Sequence, residues 1–132
     1  MKVLVLDIET NLAHDTIWCC VTQWAGDKGS LVHLEKDHLQ AVIDQADVVV
    51  GHNIIGFDGP VLSRLWGVTI PLSKVRDTLV MSRLWNPQLE GGHSLRAWGE
   101  RLGDFKDEFT DFDGGLTQEM ISYCMQDVAV TV

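Results

Sequence analysis

Val3 to Ile8 reads Val-Leu-Val-Leu-Asp-Ile, apolar at consecutive rather than alternating positions. Such a run suits a central strand covered on both faces, so the chain needs layers on both sides of a sheet. The same strand carries Asp7 and Glu9. A period of two puts both carboxylates on one face, roughly 6–7 Å apart along the chain. Two like charges on a buried strand repel each other and lose hydration unless a cation or a proton compensates. The competing reading ends the strand at Leu6 and leaves both acids in a solvated loop.

The rest of the chain supplies the layers. Ile17 to Trp24 and Leu31 to Leu34 read as strands around the turn-forming Gly26-Asp27-Lys28-Gly29. Asp37 is placed to cap a helix through Gln45, and Val48 to Val50 is a short buried strand running into Gly51. Helices are expected from Asp58 to a stop at Gly67, from Asp77 to Trp85, and from Ser94 to Leu102 with Gly103 beyond it. A last helix begins near Thr117 and keeps its pattern to Val132, an ending that suggests a piece of something longer. Strands first, then strands alternating with helices, indicate one α/β domain over residues 1–132 with a mixed sheet.

Two further acids sit oddly. On the last helix Asp127 falls inside the apolar arc of Leu116, Met120, Cys124 and Val128, with Tyr123 four residues before it at the edge. A carboxylate at the border of that arc, reaching solvent, is the plainer reading. Asp58 precedes Gly59-Pro60 and a helical pattern, which makes it an N-cap, a metal ligand, or both. Asp7, Glu9, Asp58 and Asp127 offer hard oxygen donors with no His or Cys among them. That donor set selects Mg²⁺ or Mn²⁺ over zinc. Clustered carboxylates holding two such ions are the pattern of phosphodiester hydrolysis, and Tyr123 would orient a water as a neutral hydroxyl.

Asp7-Ile8-Glu9-Thr10, Asn53-x3-Phe57-Asp58 and Tyr123-x3-Asp127 resemble the three motifs of the DEDD superfamily of 3′–5′ exonucleases. Tyr at position 123, with Ser122 where the other subgroup has His, matches the tyrosine subtype. Asp77-Thr78-Leu79-Val80-Met81-Ser82-Arg83-Leu84 and His93-Ser94-Leu95-Arg96-Ala97-Trp98-Gly99-Glu100-Arg101-Leu102-Gly103 extend the resemblance to the proofreading domain of short-tailed-phage family A DNA polymerases, as does Gln126-Asp127-Val128-Ala129-Val130-Thr131. The resemblance implies a ribonuclease H-like fold, a central mixed five-stranded sheet flanked by helices. It also implies two divalent cations, Mg²⁺ or Mn²⁺, on Asp7, Glu9, Asp58 and Asp127. Glu9 and Thr10 would meet the terminal nucleotide, with Asn53 beside them and Leu12 as a wedge against a frayed base; ordinary packing is the rival role for Leu12. The implied substrate is a single-stranded or frayed DNA 3′ end, released as nucleoside 5′-monophosphates, and the implied partner is a polymerase domain or subunit. An exoribonuclease of the same superfamily and a non-catalytic scaffold of a polymerase are the rivals. Family members continue the last helix beyond where this chain stops, and the polymerase palm and fingers are absent.

Composition bears on partners. The formal charge is −9, distributed as −6 over residues 1–63, +3 over 64–106 and −6 over 107–132. A free-standing nucleic-acid binder carries a basic footprint, so the acidity alone argues against one. Four of those charges belong to the proposed site, and two divalent ions would leave about −5. Phosphate contacts then depend on the basic stretch and on a partner. The 3 cysteines form no CxxC, and no apolar run spans a bilayer, so a reducing cytoplasm (that of a bacterial host for a phage protein) and no membrane are expected. Asp111-x-Asp113-Gly114 fails as a calcium loop, with Phe109 and Met120 at its first and twelfth positions. Gly51-x4-Gly56 lacks the Lys of a phosphate loop, and His93 reads as a loop or cap residue.

Overall fold

The computed structural model describes residues 1–85, 88, 91–102 and, near the C-terminus, 118, 120, 121, 124, 125 and 128. Strand β1 (Val3–Thr10) is flanked by β2 (Ile17–Trp24) and β4 (Val48–Gly51), with β3 (Leu31–His33) outside β2 and β5 (Val75–Asp77) outside β4. The order is β3-β2-β1-β4-β5: β1, β2 and β3 pair antiparallel, while β1, β4 and β5 pair parallel. Helix α1 (Lys36–Gln45) precedes β4, and α2 (Gly59–Trp66) connects β4 to β5. Helices α3 (Thr78–Trp85) and α4 (Leu95–Leu102) follow β5. This is the mixed five-stranded α/β sheet expected from the sequence.

The consecutive apolar residues of β1 divide between two cores. Leu4, Leu6 and Ile8 face Leu39, Val42 and Ile43 of α1 and Val61 and Leu62 of α2. Val5, on the other face, packs with Cys19, Val21, Cys124 and Val128. The described residues of the last segment are helical, and Met120, Cys124 and Val128 are fully buried, the apolar arc that their spacing predicted. Tyr123 and Asp127 lie outside the described residues.

Some local features differ from expectation. Asp37 lies in the first turn of α1, where its charge favours the helix dipole; the N-cap position is Glu35, which makes no side-chain cap bond. Val75–Asp77 form a strand, so Asp77 closes β5 and α3 begins one residue later. Ser94 caps α4, its Oγ accepting the Ala97 N–H at 3.1 Å. Gly67 ends α2 at φ 65°, in the left-handed conformation that suits a helix stop. Trp85 is exposed.

Candidate active site

Strand β1 continues through Thr10, which rules out the solvated-loop reading of its acids. Asp7 pairs with Val21 and Glu9 with Cys19 across the antiparallel ladder. After Glu9 the register slips, Thr10 facing Ile17, so Trp18 is bulged out at the end of β2. Bulges of this kind twist a strand and re-aim its side chains. Glu9 is only 6% exposed. Carboxylate oxygens of Asp7 and Glu9 and the sulfur of Cys124 all lie within 4.8 Å of one another. The Cys124 thiol sits 3.5 Å from both the carbonyl O and the Oδ2 of Asp7.

Asp58 arrives from the other side of β1. Beyond β4 the chain makes a π-helical turn, Ile54–Asp58, closed by the Gly59 N–H on the Ile54 carbonyl. Two glycines permit it. A Cβ on Gly51 would stand 2.9 Å from Ile54 Cβ and 3.2 Å from the Leu6 carbonyl oxygen. One on Gly56 would stand 2.6 Å from Asn53 Oδ1. Asp58 continues the helical backbone into α2, is 3% exposed and makes no side-chain cap bond, so capping does not account for it. Burial pushes the Cys20 thiol well above its ordinary pKa, and the charges of Asp58 and then Asp7 push it further. One buried thiol therefore feels both carboxylates. Burial likewise raises Cys124, beside Asp7.

Asp77 organises this turn. Its Oδ1 accepts the N–H groups of Asn53 and Leu79 at 2.9 Å and of Val80 at 3.4 Å, and its Oδ2 accepts that of Ile55 at 2.9 Å. One buried carboxylate thus caps α3 and pins the start of the π-helical turn. Asn53 is held at φ 62° with its carbonyl accepting the Phe57 N–H at 2.9 Å. The sequence places Asp77 at the start of a helix and contains no sign of its bonds to Asn53 and Ile55.

A cleft of about 420 Å³ opens beside Asp7, lined also by His52, Asn53, Leu79, Arg83, His93, Ser94 and Leu95. Thr10 is buried at the end of β1, its Oγ1 donating to the Asn11 carbonyl at 2.9 Å, and Leu12 beyond it is 62% exposed. Neither lines the cleft. His93 belongs to its wall. Its Nδ1 lies 2.6 Å from Ser82 Oγ, which also accepts Trp98 Nε1–H at 2.7 Å.

The donor chemistry fits a divalent cation. Asp7 and Glu9 converge at ligand spacing on one strand, and Asp58 is a buried carboxylate whose charge, like that of Asp7, acts on Cys20. Hard oxygen donors of this kind take Mg²⁺ or Mn²⁺. Sulfur in the same cluster was not foreseen from the motifs.

DNA-directed DNA polymerases of Enterobacteria phage T3 and Escherichia phage T7 are each 30% identical to this chain over an alignment 135 residues long. The alignments take in 72% of the chain and 19% of each polymerase. The chain is homologous to part of these phage DNA polymerases. The polymerase-related fold recurs in solved structures. The family B DNA polymerase of Pyrobaculum calidifontis superimposes with a TM-score of 0.74 at 16% identity, covering 99% of this chain and 23% of that one. Brucella melitensis NrnC with bound Mg²⁺ gives 0.75 at 21% identity, covering 98% and 67%. The fold is the ribonuclease H-like one that the sequence motifs implied. No family model matches the chain. Among the described residues no helix is long and apolar enough to cross a membrane.

Proposed function

We propose that this chain is a 3′–5′ exonuclease domain of proofreading type, removing nucleoside 5′-monophosphates from single-stranded or frayed DNA ends beside a polymerase domain or subunit. The convergence of Asp7 and the buried Glu9 on one face of β1, with the buried Asp58 acting on the same Cys20 thiol as Asp7, carries this reading. The phage polymerase relatives support the DNA context and a setting in the host cytosol. Tyr123 and Asp127 are assigned to the site on sequence, since they flank Cys124, whose sulfur touches Asp7.

Asp7, Glu9, Asp58 and Asp127 would hold two divalent cations, Mg²⁺ or Mn²⁺. When bound, such ions lower the pKa of water and stabilise charge on the phosphate and leaving oxygen. The protein's own groups supply position. Glu9, with Thr10 beside it, meets the terminal 3′-hydroxyl; Asn53, fixed through Asp77, borders the cleft that Asp7 lines; Leu12 projects where a frayed base would lie. A Tyr123 hydroxyl, neutral at pH 7, orients a water by hydrogen bonding.

The test is degradation of a 5′-labelled single strand with Mg²⁺ or Mn²⁺, stopped by EDTA. Asp7→Ala abolishes it while the circular dichroism spectrum is retained. Mn²⁺ raises the melting temperature of the wild type and not of Asp7→Ala, because only the former loses charge repulsion on binding. Robust cleavage by Asp7→Ala would refute the site. DNA and RNA oligonucleotides compared in the same assay decide the sugar, and an inert wild type would favour the scaffold reading.

A further inference from the structure

The cleft that Asp7 lines also carries a cation without a partner among the described residues. Lys74 and Arg76 direct donors at backbone carbonyls, Lys74 at Ile43 and Asp44, Arg76 at Ser73 and Val75. Arg83 is exposed, lines the cleft, and makes no hydrogen bond or ion pair among the described residues. Leu79 lies one turn before it on α3 and also lines the cleft. Ser94 and Leu95, at the start of the eight-residue α4, form the adjoining wall. There the helix dipole favours an anion.

His93 completes this wall. Ser82 Oγ takes the Trp98 Nε1–H and has its own proton left for His93 Nδ1. In the neutral ring the remaining nitrogen, Nε2, is then the donor, and it is buried without a hydrogen-bond partner among the described residues. Arg83, the N-terminus of α4 and His93 thus border one cleft together with the apolar Leu79 and Leu95. The volume, about 420 Å³, suits a ligand the size of one nucleotide.

We propose that Arg83, flanked by the α4 N-terminus and His93, binds a phosphodiester of the substrate strand, the linkage immediately 5′ of the one cut at Asp7 and Glu9. This rests on the exonuclease reading above. A guanidinium engages two non-bridging phosphate oxygens at once, which fixes register as well as adding affinity. On a chain of charge −9, a cleft cation with no partner among the described residues adds attraction for the strand.

The probe is a 5′-fluorescein hexathymidylate, its binding read by anisotropy across a salt series with Ca²⁺ replacing Mg²⁺ to hold the strand uncut. A second hexamer carries a neutral methylphosphonate at the second linkage from the 3′ end. Arg83→Ala is expected to weaken binding of the first hexamer roughly tenfold and to flatten the log–log salt slope by about 0.7. The methylphosphonate weakens the wild type by a similar factor and Arg83→Ala no further, while Arg83→Lys recovers part of the loss. Wild-type affinity in Arg83→Ala, or an equal loss on both hexamers, overturns the phosphate site. A wild type that cuts the strand without dependence on Arg83 overturns this site alone. One that binds through Arg83 and leaves the 3′ end intact with Mg²⁺ or Mn²⁺ overturns the exonuclease reading alone, and one that neither binds nor cuts overturns both.

Discussion

Replacing Asp77 by alanine deletes one buried carboxylate and strands four backbone N–H groups, those of Asn53, Ile55, Leu79 and Val80. If Asp77 merely capped α3, the loss would be about 1 kcal/mol, typical of an N-cap. A hydrogen bond to a charged acceptor contributes about 1.5–3 kcal/mol, and two of the bonds hold a turn far away in sequence. Water reaches some of the released donors, so the expected loss is about 3–5 kcal/mol, within what a domain of this size survives. Asp77→Asn keeps an acceptor at Oδ1 and turns an amide donor toward the Ile55 N–H, for an intermediate loss of about 2 kcal/mol. Ser94→Ala, which removes an ordinary cap bond to Ala97, is the control at about 1 kcal/mol. Urea titrations followed by circular dichroism order the three variants, the midpoint shifting with unchanged slope. In thermal melts Asp77→Ala falls by about 10–20 °C. The proposed nuclease activity drops as well, because the turn bearing Asn53 and Asp58 loses its anchor. An Asp77→Ala loss no greater than that of Ser94→Ala would refute the pinning role.

Gly51→Ala is expected to cost about 1–3 kcal/mol in the same titration, since its Cβ meets Ile54 Cβ at 2.9 Å with no flexible end to yield. His33 is buried against Thr22, its Nε2 2.8 Å from the hydroxyl. Burial, with the nearby His38, lowers its pKa below 6.5. The unfolded chain therefore binds the proton more readily, so stability falls as pH drops through about 6.5, and His33→Leu removes that part of the acid slope in urea midpoints measured from pH 7 to 5. Cys19, Cys20 and Cys124 are all buried, and a thiol reagent such as dithionitrobenzoate reacts with them only at the rate of unfolding. Fast labelling of the native protein would contradict that packing.

The parts of the fold that follow from periodicity were legible. The doubly apolar β1 announced a sheet covered on both faces, and Met120, Cys124 and Val128 announced the helix that covers one of them. The edge strand Val75–Asp77 has a single strongly apolar residue, too little to register, and entered only through the family resemblance. The acidic pair was legible because charge on a buried strand has no structural explanation. Asp58 was ambiguous because a residue before Gly-Pro and a helix looks like a cap; the π-helical turn that makes it something else depends on Gly51 approaching Leu6. Asp77, Arg83 and the Ser82–His93–Trp98 chain were invisible for another reason. Their partners are distant in sequence or defined by a cleft, and no local pattern encodes that.

The sheet changes sense at β1, and the two halves of the site sit on opposite sides of that change. Asp7 and Glu9 need only the β1–β2 hairpin, whose strands are separated by a short loop and pair early in folding. Asp58 lies beyond β3, α1 and β4, and its placement waits on the parallel pairing of β4 with β1, a long crossover that closes late. On the proposed metal site, ion affinity becomes a kinetic marker. During refolding, a hairpin-only state would offer Asp7 and Glu9, and Asp58 would join when the parallel half docks. Mn²⁺ added at intervals to a refolding chain would time the closure of the second half of the sheet.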